Sequence, residues 1–181
     1  MVMLRHPHPD EPTAAAGPEA ARLNLLISDA GWEPESWADR IGPLLAPLGV
    51  RAHRAQTAQC AQRLIQSYPI HIAVIDMALP LAPSDPKKEA GWRVLELLRR
   101  AQVQPPTVVI KRPRTRRDEV RQLHAALRAG AFAVIDRPVT NEQIEMLLDC
   151  LRRALRRFYQ DRWPQTPSAD IPPADERPPD A

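Results

Sequence analysis

The sequence predicts an α/β domain, a three-layer, doubly wound, five-stranded parallel sheet with helices on both faces. Three observations predict it. Short apolar runs of strand length alternate with segments of helical period. The runs are nearly continuous in apolar character, as strands covered on both faces are. Three of them end in a polar or charged residue, Asp29, Asp76 and Lys111, and a doubly wound sheet gathers such ends into one crevice.

The elements follow in order. Leu23-Asn24-Leu25-Leu26-Ile27 reads as a strand ending in Ser28-Asp29. Ser36 caps a helix through Trp37, Ile41, Leu44 and Leu45, shortened by Pro43 and Pro47 and broken at Gly49. Arg51 to Ala55 is polar for a strand, which suits an edge. Thr57 caps a helix with Ala61, Leu64 and Ile65, and the run Ile70 to Ile75 is a buried strand closed by Asp76.

Asp85-Pro86 has the form of an N-cap followed by proline in the first turn, predicting a helix through Trp92, Val94, Leu95 and Leu98 to Arg100. Thr107 to Ile110 is a strand. Thr115 and Asp118 open a helix with Val120, Leu123 and Leu127 that Gly130 stops. Ala131 to Ile135 is the fifth strand. Thr140 and Gln143 form a capping box for a last helix along Ile144, Leu147, Leu148, Leu151, Leu155 and Phe158.

Prolines crowd at the two ends. Residues 1–20 and 164–181 are proline-rich, acidic and poor in apolar side chains, so both are expected to be disordered tails around one domain at 21–163. That domain holds 23 basic against 15 acidic residues, and 111–162 alone holds 13 against 7. Cys60 and Cys150 match no metal or redox spacing, and His53, His71 and His124 have no ligand spacing. No run approaches membrane-spanning length and the N-terminus has no apolar signal core. The cytoplasm is the expected compartment, and no membrane partner is expected.

Asp76 stands where open α/β sheets place their chemistry, and Met77-Ala78-Leu79-Pro80 follows it. The motif resembles the phosphoacceptor strand of response-regulator receiver domains, the CheY-like fold. Gly91-Trp92-Arg93-Val94-Leu95 resembles the opening of that family's third helix, and Ala129-Gly130-Ala131 with Arg137-Pro138 resembles its last conserved pieces. The resemblance spans about residues 22–158. It implies strand order 2-1-3-4-5 and a phosphorylation site at Asp76.

In the family, a magnesium ion at two acids, the acceptor and a carbonyl makes the weak carboxylate nucleophile effective. Here Asp29 matches one acid, Ser28 replaces the other, and Ala78 would supply the carbonyl. The switch hydroxyl falls on Lys111, the switch aromatic on Val134, and the lysine before proline on Arg137. Lys111 is expected to serve as counter-ion to the carboxylates and to compete with the metal. Arg137 is expected either to hold an oxyanion or to bridge to Asp76. The segment between Asp76 and Gly91 is longer than the family's.

The predicted function is therefore a stand-alone, atypical receiver, not an enzyme, acting mainly as a protein-interaction module with a degenerate phosphorylation site. Other signalling proteins are the expected partners, with a histidine kinase or a second copy among them, at the fourth helix, fifth strand and fifth helix. One alternative is a phosphate-accepting regulator modified on Asp76. Another is a polyanion-binding adaptor using Arg116, Arg117, Arg121, Arg152, Arg153, Arg156 and Arg157. No aromatic platform interleaves those arginines, so nucleic acid is the weaker partner class. No helix-turn-helix output domain is expected after Trp163.

Overall fold

The computed structural model describes residues 23–30, 36–111 and 116–159, and for 116–119 the backbone only. The two expected tails and the Thr115 cap lie outside the described residues.

Each strand sorts its side chains onto the two faces of the sheet, because successive residues of a strand point opposite ways. In β1 (Leu23–Ser28), Leu23, Leu25 and Ile27 join one core and Leu26 the other. In β3 (Ile72–Asp76), Ile72 and Val74 face the first core, Ala73 and Ile75 the second. β2 (Val50–Ala55), β6 (Thr107–Lys111) and β7 (Ala133–Asp136) complete an all-parallel sheet in the order β2-β1-β3-β6-β7. Counting only these five strands, that is the expected 2-1-3-4-5, with polar β2 at an edge.

The helices α1 (Trp37–Leu45) and α5 (Asn141–Tyr159) cover the first face. Ile41 and Leu45 from α1, and Leu147, Leu151 and Leu155 from α5, are fully buried there. On the second face α2 (Ala58–Ser67) and α3 (Gly91–Arg99) pack Leu64, Val94 and Leu98 against Leu26 and Ile75. Beside them, α4 (Arg116–Arg128) closes over Val109 with Ala126 and Ala129, a core of small residues.

Three of the predicted caps form, at Ser36, Thr57 and Thr140 with Gln143. The Ser36 hydroxyl accepts from Ala38 N–H at 3.2 Å, and Thr57 from Cys60 N–H at 3.1 Å. Gln143 Oε1 accepts from Thr140 N–H at 3.2 Å while Gln143 N–H donates to Thr140 Oγ1 at 3.3 Å. The α1 segment ends in a 3-10 turn, Ala46–Leu48, closed by Gly49 in the left-handed conformation at φ 73°.

One element departs from expectation. Asp85-Pro86 does not start a helix. Residues Asp85–Glu89 form strand β5, fully exposed and antiparallel to β4 (Pro80–Ala82), and α3 begins only at Gly91. An N-cap followed by proline is also compatible with an exposed edge strand, where the missing N–H leaves no ladder bond unmade. Pairing with Pro80–Ala82 decides between the two, and that partner is not part of the local motif. Gly91 is needed at the junction, because a Cβ there would strike the Asp76 carbonyl oxygen and lie 2.7 Å from Met77 Cα.

Candidate functional site: a buried carboxylate–guanidinium cluster

The carboxyl ends of β1 and β3 bring Asp29 and Asp76 together at the crevice. Both are buried, at 2% and 0% relative exposure, and carboxylates that deep need charged partners. Two arginines supply them. Arg137, just after β7, pairs through Nη2 with Asp76 Oδ2 and lies 3.8 Å from Asp29 Oδ1. Arg54, near the end of β2, reaches Asp29 Oδ2 at 3.1 Å and also pairs with Asp39 on α1. Two carboxylates and two guanidiniums at the centre leave no net charge there.

Hydrogen bonds fix the remaining oxygens. Ala78 N–H donates to Asp76 Oδ1 at 2.8 Å, and Leu79 N–H to the Asp76 carbonyl at 3.1 Å, so residues 76–79 fold into a tight turn. The Ser28 hydroxyl accepts from Asp76 N–H at 2.9 Å. The residue in the place of an expected acid thus ties β1 to β3. Ser36 donates its hydroxyl proton to Asp29 Oδ2 while capping α1, which anchors that helix to the cluster.

The donors present do not fit a magnesium ion. A hard divalent cation takes carboxylate, carbonyl and water oxygens in near-octahedral array. Here the facing oxygens of Asp29 and Asp76 already hold a guanidinium between them, and Ser28 is spent on the Asp76 backbone.

Lys111, expected as a counter-ion to the carboxylates, stands beside Asp136 on the neighbouring strand. Its ammonium lies 3.0 Å from Asp136 Oδ1. The register explains this: Asp76 is paired with Ile110, so Lys111 stands one residue on, toward the α4 face shared by Val109. Its own register partner is Asp136. Arg137 makes the bridge to Asp76. Val134 is half-buried and packs against the small core under α4.

The arginine set is not one surface. α4 packs on the Val109 face and α5 on the Val108 and Ile110 face, so the two helices flank edge strand β7 from opposite sides. Arg152, Arg153, Arg156 and Arg157 are exposed on α5, with Arg152 3.4 Å from Asp149, and Arg121 is exposed on α4. The side chains of Arg116 and Arg117 lie outside the described residues. Sequence reasoning missed Arg54 and read Ser36 only as a helix cap. The one available signal for Arg54 was a cation ending a polar strand beside the strand of Asp29.

Solved structures carry this same architecture. The chain is similar to the CheY-like receiver domain protein of Methanospirillum hungatei JF-1, at 21% identity over 77% of this chain and 98% of that one, with a TM-score of 0.58. The fold is that of a response-regulator receiver domain. A receiver protein from Pseudoalteromonas atlantica matches at 22% identity over 74% of this chain and 98% of that one, with a TM-score of 0.55. NtrX from Brucella abortus matches at 19% identity and a TM-score of 0.57; the match covers 77% of this chain but only 28% of NtrX. No family model and no curated protein matches the sequence. Among the described residues of this receiver fold, no helix is long and apolar enough to cross a membrane.

Proposed function

We propose that this chain is a receiver-type signalling module that works through protein contacts, with Arg137 holding its acceptor site closed in place of phosphorylation. The observation that carries the reading is the ion pair from Arg137 to a fully buried Asp76. A nucleophile must reach the phosphorus in line with the leaving group. Asp76 exposes no surface for that approach, and the guanidinium occupies the oxygen an incoming phosphoryl group would need. The same pair supplies the neutralisation that a metal would otherwise provide, so the module needs no divalent ion to hold its shape.

The contact surface in this reading is the edge built by α4, β7 and α5. Exposed Leu127 on α4 and exposed Met146 and Arg153 on α5 give the mix of apolar anchors and arginine that suits protein partners. Those partners are other signalling proteins, a histidine kinase or a second copy of the chain among them. The module has no catalytic role of its own and works in the cytoplasm.

The test is incubation of the protein with acetyl phosphate and magnesium, and separately with beryllofluoride and magnesium, read by intact mass and by amide NMR. The expected result is no phosphoryl adduct and no magnesium-dependent shift around Asp76. A stoichiometric adduct that maps to Asp76 overturns the closed-site reading and favours a phosphate-accepting regulator.

A further inference from the structure

A cavity of about 430 Å³ opens between the β4–β5 hairpin, the start of α3 and the inner face of α4. Its floor is apolar and made of short side chains: Val109 and Ala126 are buried, and Val134 is half-buried. Short residues meeting from a strand, a helix and an edge strand leave space between them among the described residues. Trp92, 45% exposed, forms one wall. A large ring left this exposed offers stacking area to a planar guest. The volume lies within the range of about 300–1,000 Å³ common to small-molecule sites.

Among the charged side chains of the lining, the exposed Arg121 guanidinium is the handle open to a guest. Lys111 and Arg121 contribute two positive charges and Glu89 one negative. Lys111 is already paired with Asp136 at 3.0 Å, and the planar fork of Arg121 suits a carboxylate or sulfonate. We propose that this cavity is a binding site for a small aromatic anion, its ring between Trp92 and the Val109–Ala126–Val134 floor and its acid group at Arg121. The site borders the ion cluster on two strands. Met77, in its wall, follows Asp76, and Lys111 is bonded to Asp136, which precedes Arg137.

The test uses naphthalene-2-sulfonate as probe and 2-naphthylmethylamine as its cationic counterpart, titrated into the ¹⁵N-labelled full chain and followed by amide shifts. The sulfonate should give saturable shifts centred on Val109, Ala126 and Val134, and the amine should bind at least about threefold more weakly, since Arg121 attracts one and repels the other. Val134→Phe, which fills the floor, should weaken the sulfonate about tenfold or more. Trp92→Ala changes a half-exposed residue and should weaken it as well without touching the core. Arg121→Gln should remove the preference for the sulfonate over the amine. Shifts scattered over other surfaces, or sulfonate affinity unchanged in Trp92→Ala and in a folded Val134→Phe, overturn the site. Equal binding of sulfonate and amine overturns its assignment to anions.

Discussion

The two ends of the sheet solve the same problem with different chemistry. At the carboxyl end, Asp29 and Asp76 are buried with Arg54 and Arg137 as counter-charges. Toward the amino end, neutral groups meet instead: Asn24 N–H donates to His71 Nδ1 at 2.9 Å, and the Asn24 amide bridges His53 Nε2 at 3.1 Å and the Pro69 carbonyl at 3.0 Å. Tyr68 stacks on His53 with ring centroids 4.3 Å apart. A neutral cluster satisfies strand ends at little desolvation cost. Buried charges do not, since desolvation offsets most of their attraction. The charged end therefore holds an arrangement that stability alone does not require.

The largest effect that would break the contrast is at Arg137. Replacing it in Arg137→Met leaves the fully buried Asp76 without its ion pair, and removing one member of a buried pair costs about 3 kcal/mol or more. Arg137 keeps 19% of its side chain in solvent, which puts the expected loss at the low end. Urea unfolding of the variant reads it directly. Adding Asp76→Leu to the same chain should recover most of the loss, because an apolar pair of similar volume avoids the stranded charge. If Arg137→Met alone unfolds at the wild-type midpoint, the ion pair holds nothing.

At the amino end the matching change is smaller. Asn24→Ala removes the side-chain bonds to His53 and Pro69 but leaves the backbone bond to His71. Neutral hydrogen bonds contribute about 1 kcal/mol each, less where water can replace the partner. The variant should lose about 1 kcal/mol in total by the same urea measurement. A loss equal to that of Arg137→Met would erase the distinction between the ends.

Much of this contrast is legible in the sequence, and the rest fails for definite reasons. Ile72-Ala73-Val74-Ile75 reads as a buried strand because every position is apolar, and Ser36, Thr57 and Thr140 with Gln143 read as caps because a cap is a local hydrogen bond. Asp29 and Asp76 can be brought together from strand ends alone, and the resemblance to the receiver family adds Arg137. Lys111 cannot be placed that way, because a single residue of register decides which face it joins and turns it to Asp136. Asp85-Pro86 is ambiguous within its own window, and Pro80–Ala82, pairing from outside it, makes the segment a strand. Arg54 is invisible for a similar reason, as its role depends on β2 lying beside β1 and on α1 presenting Asp39.

The mildest test of the comparison is pH. Burial, and then the nearby charge of Arg51, hold the His53 imidazole below its ordinary pKa of 6.5. The folded state therefore resists the proton that the unfolded chain accepts. Stability from this group is complete above about pH 6.5, falls as pH drops from there through the lowered folded value, and levels off beneath it. Because the ring is only half-buried, the slope should be shallow. Urea midpoints of the wild type and of His53→Gln, measured in steps from pH 7.5 down to pH 5 (about the span in which histidine titrates), isolate it from the other histidines. The wild type should lose more than the variant over that interval. Parallel curves would mean that the amino-end cluster is indifferent to the charge on His53, and that its neutrality is not what sets it apart from the carboxyl end.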